Sequence, residues 1–311
     1  MAASKAVEVE VTGRRLRLSN LDKVLYPEAG FTKAEVLDYY ARIAPVMVPH
    51  LAGRALTFKR YPDGVDGPSF FEKRCPGHRP DWVPTAIGPS SGKPGGGTKG
   101  DTVPYCVIEE TAALVWAANL AALELHAPMA CASDLETPRA VVFDLDPGPP
   151  AALRECAVVG LAIRDVLAEL GLEVLAKASG SKGLQLYVPL NTPATHEEAS
   201  QFALAIGQLL ERAHPDLVLT AMKRELRPGK IFVDWSQNSR HKTTIAPYSL
   251  RARPRPTVST PVSWDEVAEA AEGGRELRFE APDVVARVEE VGDLFAPLLT
   301  LRQVLPEAVA G

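Results

Sequence analysis

Residues 140–148 read AVVFDLDPG, an apolar run that closes on two aspartates with one leucine between them. In an extended strand, residues two apart share a face. Asp144 and Asp146 therefore project together, while Phe143 and Leu145 turn toward a core. Two carboxylates on one face repel, and burying them unpaired is costly. A divalent cation held by hard oxygen ligands is the usual remedy. Taken alone, the pair also fits a plain strand end that caps the following helix. A second strand weighs against that plainer reading. KIFVDW (230–235) places Asp234 after Ile-Phe-Val, the same design as Asp144. Three carboxylates at strand ends could hold two metal ions about 3.5–4 Å apart, activating one oxygen and stabilising the departing one in an in-line phosphoryl displacement.

The turn in ASGSKGLQLYV adds a second chemical element. Small residues and Lys182 between two apolar strands offer backbone N–H groups and one cation, which suits a phosphate chain. A third element is a basic block. From Lys223 to Arg255 there are nine Lys/Arg against Glu225 and Asp234; from Trp264 to the end there are four Arg against eleven Asp/Glu. Arg227, Lys230, Lys242 and Arg251 are candidate phosphate partners, and Asp234 sits among them. An acidic metal ligand ringed by cations is what a metal-chelated nucleoside triphosphate requires. SFFEK sets Phe70 beside Phe71. In a strand one of the two rings faces away from the core side, where it could stack on a base. Lys23 and Lys33 are candidate phosphate contacts near the N-terminus.

The elements that must position these residues are legible from period and punctuation. VEVEVTGRRLRLS alternates and predicts a strand pair. Thr32 and Glu35 form a capping box before a helix over EVLDYYARIAPVMVPHL, and Thr195 and Glu198 repeat it before EEASQFALAIGQLLERAH. ALTFKRYP reads as a strand. TAALVWAANLAALELH (111–126) reads as one core helix, and PAALRECAVVGLAIRDVLAELG (150–171) as an amphipathic one. LEVLAKAS and LQLYVPL are strands joined by the GSKG turn, and WDEVAEAAEGG is a short helix. The glycine-rich segment 88–101, GPSSGKPGGGTKGD, fails the phosphate-loop spacing, because Lys93 precedes proline rather than Ser or Thr. It reads as a surface connection. Strands and helices mix without a strict βαβ rhythm, which predicts an α+β fold around a mainly antiparallel or mixed sheet.

The bulk numbers narrow the class. The 311 residues are 46% hydrophobic and 23% charged, a globular composition. Charges interrupt every apolar stretch within about 18 residues, too soon for a spanning helix. The N-terminus has no apolar secretory core. Cys75, Cys106, Cys131 and Cys156 are scattered with no C-x-x-C, which fits a reducing compartment and argues against a disulfide scaffold or zinc ribbon. The net charge of −5 counts against a nucleic-acid binder, but the uneven charge distribution hides a local positive field.

With these residues placed, the chain resembles the polymerase domain of bacterial DNA ligase D, in the archaeo-eukaryotic primase superfamily. The resemblance covers about residues 15–295 and rests on SNLDKVLYPEAGFTKAEVLDYY, GPSFFEKRCPGHRPDW, LELHAP, VVFDLDPG, ASGSKGLQLYVPL and KIFVDWSQNSRHKTTIAPYSLRARPRPTVSTPVSWDEV, in that order. It implies a single polymerase domain over 1–311, with the catalytic motifs at 140–255. The implied fold has two subdomains meeting at a cleft, with an RNA-recognition-like catalytic sheet. The implied activity is templated addition of ribo- or deoxyribonucleotides at DNA ends and short gaps in non-homologous end joining, with Mn2+ or Mg2+ as a two-ion cofactor. Asp144, Asp146 and Asp234 resemble the metal triad, and His126 in LELHAP resembles the histidine near metals and nucleotide. Ser179, Ser181, Lys182, Lys230, Gln237, Lys242 and Arg251 resemble the nucleotide-binding set. Lys23 and Lys33 resemble the lysines that hold a downstream 5′-phosphate, and Phe70 and Phe71 the aromatics that meet the template. The implied partners are DNA ends, gapped DNA, nucleoside triphosphates, Ku and an ATP-dependent ligase. The implied place is the cytoplasm, at the nucleoid. One departure stands out: where the family commonly has histidine after SGSKGL, this chain has Gln185. Ligase and nuclease portions are absent, and the composition of the tail favours a standalone protein.

Two other functions compete. FDLD also resembles the nucleophile strand of haloacid-dehalogenase-type phosphatases, but the motif lies mid-chain and FVDWSQN is then unexplained. A DNA-end-binding scaffold without chemistry is the other, and the full set of three aspartates argues against it.

Overall fold

The alternation near the N-terminus folds as period two dictates. In the computed structural model, which describes residues 6–90 and 102–306, β1 (Ala6–Val11) pairs antiparallel with β2 (Arg14–Ser19). Thr12 and Gly13 turn the chain, both at positive φ, as a two-residue hairpin requires. The helix α1 (Lys33–Leu51) starts at the capping box: the Glu35 N–H donates to Thr32 Oγ1 and the Thr32 N–H donates to the Glu35 carboxylate. A cap of this kind contributes about 1 kcal/mol.

The chain divides into two units. The first takes in the residues up to Pro128, with Ile245–Val258 and Phe279–Gly292. In it, β3 (Thr57–Arg60) runs antiparallel between β4 (Phe70–Glu72) and β5 (Ala122–Pro128). The helix expected over 111–126 is shorter than its apolar run. α2 (Thr111–Asn119) ends there, Ala121 takes φ 57°, and the chain leaves as β5. The reason is the LELH alternation. Leu123 and Leu125 are wholly buried on one face, so Glu124 and His126 share the other.

The second unit holds Met129–Thr244, Ser259–Arg278 and the residues from Asp293. Its six-stranded sheet is made of β6 (Ala140–Pro147), β7 (Leu175–Ala178), β8 (Leu184–Pro189), β9 (Val218–Leu219), β10 (Ile231–Asp234) and β11 (Thr260–Val262), in the order β9-β10-β6-β8-β7-β11. Only β9 and β10 are parallel; the other pairs are antiparallel. With α3 (Leu153–Glu169) after β6 and α4 (His196–Ala213) after β8, the chain traces β-α-β-β-α-β. This is the α+β, RNA-recognition-like sheet expected. The helices cover one face: the Phe143 ring lies edge-on to Phe202 of α4, and Gly160 of α3 lets Leu184, Leu186 and Leu145 approach. On the opposite face Val142 and Tyr187 pack with Met129, Ala140, Phe295 and Leu298. Asp144 and Asp146 follow Val142 on that same face.

The expectation for cysteine is corrected. Cys75 and Cys106 are joined in a disulfide with Cα atoms 4.8 Å apart, while Cys131 and Cys156 are free. Their 31-residue separation hid the pairing; the Cys75 N–H donates to the Pro104 carbonyl, which brings the two segments together. Of the glycine-rich segment, residues 91–101 lie outside the described residues, while Gly88 and Pro89 belong to a strand, Thr85–Pro89, paired with Thr102–Cys106. No helix among the described residues is long and apolar enough to cross a membrane.

Candidate active site

The three aspartates share one sheet face by register. Asp144 on β6 is the direct cross-strand partner of Asp234 on β10, and Asp146 lies two residues further along. Directly opposite residues share a face, with Cβ atoms about 4.5–5.5 Å apart. Burial, then the charge of Asp146, raises the Asp144 carboxyl to about 7; Gln185 and Lys177 oppose the rise and Asp234 adds to it. Asp146 is also raised, by desolvation and by Asp234, against Arg227. Among the described residues, no three His, Cys, Asp or Glu side chains are assembled as a ligand group. Asp234 caps its own 3-10 turn, with Oδ1 accepting from the Ser236 N–H at 3.0 Å and the Ser236 hydroxyl at 2.6 Å. Asp144 Oδ1 accepts from Gln185 Nε2 at 3.0 Å. The donor chemistry itself, three hard carboxylates on one face whose repulsion raises Asp144 and Asp146, fits a divalent cation.

Around this face the structure sorts the expected nucleotide partners. Lys182 and Lys242 are exposed. Arg227 stacks on the Phe232 ring at 3.8 Å, and Phe232 is the cross-strand partner of Asp146. Arg227 Nε and Gln237 Oε1 are buried without a hydrogen-bond partner among the described residues, and Gln237 Nε2 reaches Asp234 Oδ2 at 3.4 Å. Lys230 Nζ donates to the Pro215 carbonyl at 2.5 Å. The SGSKG turn is less open than expected. Ser179 is buried, and its Oγ accepts from the backbone N–H groups of Gly183, at 3.1 Å, and of exposed Ser181, at 3.3 Å. The serine therefore shapes the turn from within. Gly183 is required by close approach, since a Cβ there would run into the Leu145 carbonyl of β6. Gly183→Ala should cost about 1–3 kcal/mol as an overpacking change; a melting temperature equal to the parent's would contradict this packing.

The remaining candidates lie on the first unit. The residue that sequence reading missed is Glu124. Its carboxylate accepts from His126 Nε2 at 3.1 Å, from Arg251 Nε at 3.2 Å and from the Ala252 N–H at 3.1 Å. Burial alone would raise Glu124, but these three donors reverse it and hold the carboxyl well below the usual range. Burial lowers His126 and outweighs the pull of Glu124. The ring is thus neutral at neutral pH, with the proton on Nε2 and the lone pair on Nδ1. The signal available in the sequence was the E-x-H spacing within an alternating run.

Phe70 and Phe71 are both exposed, 45% and 52%, because β4 is a three-residue edge strand. Each carries a cation, Arg60 over Phe70 and Lys59 over Phe71, and Phe71 meets His126 edge-on at 5.7 Å. Lys23 pairs with Asp63 at 2.8 Å, and Lys33 is buried with its Nζ on the Ser19 carbonyl at 2.7 Å. Burial, with the charges of Lys23 and Arg60, lowers Lys33 to about 8. The basic block is less bare than its composition suggests, since Arg240, Arg251 and Arg255 pair with Glu136, Glu124 and Glu280.

Comparison with known proteins places this geometry. Residues 32–295 match the family model of the LigD primase-polymerase domain. The chain is 46% identical over 286 residues to the multifunctional non-homologous end joining protein LigD of Mycolicibacterium smegmatis, covering 91% of this chain and 36% of that protein. It is 30% identical over 279 residues to the bifunctional non-homologous end joining protein LigD of Bacillus subtilis, covering 89% and 43%. Among solved structures, the polymerase domain of Mycobacterium tuberculosis ligase D in complex with DNA superposes with a TM-score of 0.84 at 41% identity, covering 93% of this chain and 99% of that one. The chain thus spans well under half the length of these curated relatives.

Proposed function

The chain belongs to the LigD primase-polymerase family, and from that premise we propose that it extends DNA 3′ ends by templated nucleotidyl transfer at breaks and short gaps. One observation carries the reading: Asp144, Asp146 and Asp234 share one face of the second unit's sheet, and burial with mutual repulsion raises Asp144 and Asp146 despite the opposing pull of Gln185, Lys177 and Arg227. Asp144, Asp146 and Asp234 would hold Mn2+ or Mg2+, which when bound would neutralise charge developing on the reacting phosphate. The protein's own residues orient and exclude. Lys182, Lys242 and Arg227 supply positive charge for a triphosphate, and the unpartnered Arg227 Nε and Gln237 Oε1 offer a donor and an acceptor. On the second unit the proposed role of Ser181 and Lys230 is nucleotide contact and that of Ser179 is holding the turn; on the first unit, His126 and Arg251 are proposed, from the family resemblance, to serve the same reaction. Positioning and electrostatics carry most of the acceleration in phosphoryl transfer.

On the first unit, Phe70 and Phe71 present faces on which a template base can stack, and the cations above them favour a polyanion. Lys33 has the charges of Lys23 and Arg60 close by, Lys23 paired with Asp63 and Arg60 with Glu72, and this group of three cations is proposed to meet a 5′-phosphate. This role has a pH signature. Lys33 is charged below about 8 and neutral above it, whereas a phosphate monoester is already dianionic above roughly pH 6. Preference for 5′-phosphorylated gaps is therefore expected to fall from pH 7 to pH 9 and to lose that dependence in Lys33→Met. Equal preference at both pH values in the parent would remove Lys33 from this role. Ku, an ATP-dependent ligase and the bacterial cytoplasm are the proposed setting, by analogy with the end-joining relatives.

The test is primer extension on a gapped duplex bearing a downstream 5′-phosphate, with ribo- or deoxynucleotides and Mn2+ or Mg2+. Template-directed, metal-dependent addition is expected. Release of inorganic phosphate from a monoester without extension would favour the phosphatase, and DNA binding without turnover would favour the scaffold.

A further inference from the structure

The sheet of the second unit carries a polar row that reaches the aspartates from behind. Lys177 on β7 is the register partner of Gln185 on β8, Gln185 of Asp144 on β6, and Asp144 of Asp234 on β10. Opposite residues of antiparallel strands share a face, so four polar side chains cross four neighbouring strands in one line. Lys177 has no exposed surface; its Nζ donates to Gln185 Oε1 at 2.6 Å and to Ser259 Oγ at 2.7 Å, beside the Tyr187 ring. Gln185 Nε2 in turn donates to Asp144 Oδ1 at 3.0 Å.

The direction of this chain follows from its chemistry. An ammonium only donates, so the amide must turn its oxygen to Lys177 and its N–H to Asp144. A glutamine alone could flip; the lysine removes the choice. A buried ammonium is costly to keep, and a residue that only filled space at this position would be apolar. We propose that Lys177 is a positioning residue, which acts through the Gln185 amide to pin Asp144 Oδ1 and so presents Oδ2 to a divalent cation. The proposal rests on the reading that the three aspartates bind such a cation. It also explains how this chain works with glutamine at position 185. An imidazole could accept from Lys177 and donate to Asp144 in the same way, so the two side chains are interchangeable here while the lysine is not.

The test is calorimetric titration of Mn2+ into the full chain without DNA or nucleotide, for the parent, Asp144→Ala, Gln185→Leu, Gln185→His, Lys177→Met and the Lys177→Met/Gln185→Leu double variant. Thermal melting confirms that each is folded. Outer partners of metal ligands typically change affinity by 10–100-fold. Gln185→Leu and Lys177→Met are each expected to weaken Mn2+ binding about tenfold, and Gln185→His to stay within about threefold of the parent. The double variant should be at most about twofold weaker than Gln185→Leu, because only the direct pull of the Lys177 charge on Asp144 is then left to lose. A folded Gln185→Leu with parental affinity overturns the proposal, as does a double variant whose loss is the product of the two single losses. If Lys177→Met does not melt cooperatively, the contrast between Gln185→Leu and Gln185→His decides alone, and equal affinities overturn it. If the parent binds no Mn2+, or Asp144→Ala binds it equally well, the three-aspartate reading itself has failed.

Discussion

Asp144→Ala is expected to reduce primer extension by at least about a thousandfold, the scale on which removing a main electrostatic element of a transfer reaction acts, while gapped-duplex binding stays within a few-fold of the parent. Asp144 is the centre of the acidic face: it is the cross-strand partner of Asp234 and a same-face neighbour of Asp146. Its loss leaves two carboxylates, Asp146 and Asp234, without the residue that pairs with one and neighbours the other. The fold should survive. Asp144 carries an unfavourable charge beside two others, so in chelator-treated buffer Asp144→Asn should melt no lower than the parent. Two measurements separate the outcomes. Extension lost with melting preserved assigns Asp144 to the chemistry. Extension retained at more than a tenth of the parent rate removes it, and with it the two-ion reading.

Much of this site was legible before the structure because its aspartates end apolar strands whose partners are fixed by hydrophobic alternation. Phe143 and Leu145 had to face α3 and α4, which fixed the side on which Asp144 and Asp146 emerge. The capping boxes at Thr32 and Thr195 placed the starts of α1 and α4 within two residues, since each signal is local. What was not legible was long-range. Lys177 lies inside an apolar strand, LAKA, and reads as a solvated lysine until β7 pairs with β8 and its partner becomes Gln185. Cys75 and Cys106 meet only because Cys75 follows edge strand β4 and Cys106 ends the second strand after it. Glu124 was hidden by the misread helix. On a helix Glu124 and His126 would point about 200° apart, two residues at 3.6 per turn; on β5 they are neighbours. Ser179 shows the converse error, since a motif that looked free to grip phosphate has its serine turned inward to close its own loop.

Glu124→Ala is the second large effect expected, and it should strike stability and activity together. Glu124 is almost wholly buried, and it is the acceptor for both His126 and Arg251. Removing one partner of a buried pair leaves an uncompensated charge and costs about 3–5 kcal/mol. Extension should fall about a hundredfold as well, because His126 loses the acceptor that fixes its proton on Nε2 and Arg251 loses the anchor of its guanidinium. A purely structural salt bridge would give the stability loss and, once that was repaired, normal activity. The pair can be removed together to decide this. Glu124→Leu combined with Arg251→Met takes both charges out of the interior, and replacing a buried ion pair by apolar residues of similar size is often close to neutral in stability. The double variant should therefore recover most of the melting temperature lost in Glu124→Ala, while extension stays at least about tenfold below that of Arg251→Met, which loses the guanidinium but keeps Glu124 beside His126. Recovery of extension along with stability would mean that Glu124 only holds the first unit together, and that the orientation of His126 and Arg251 is set by something other than this carboxylate.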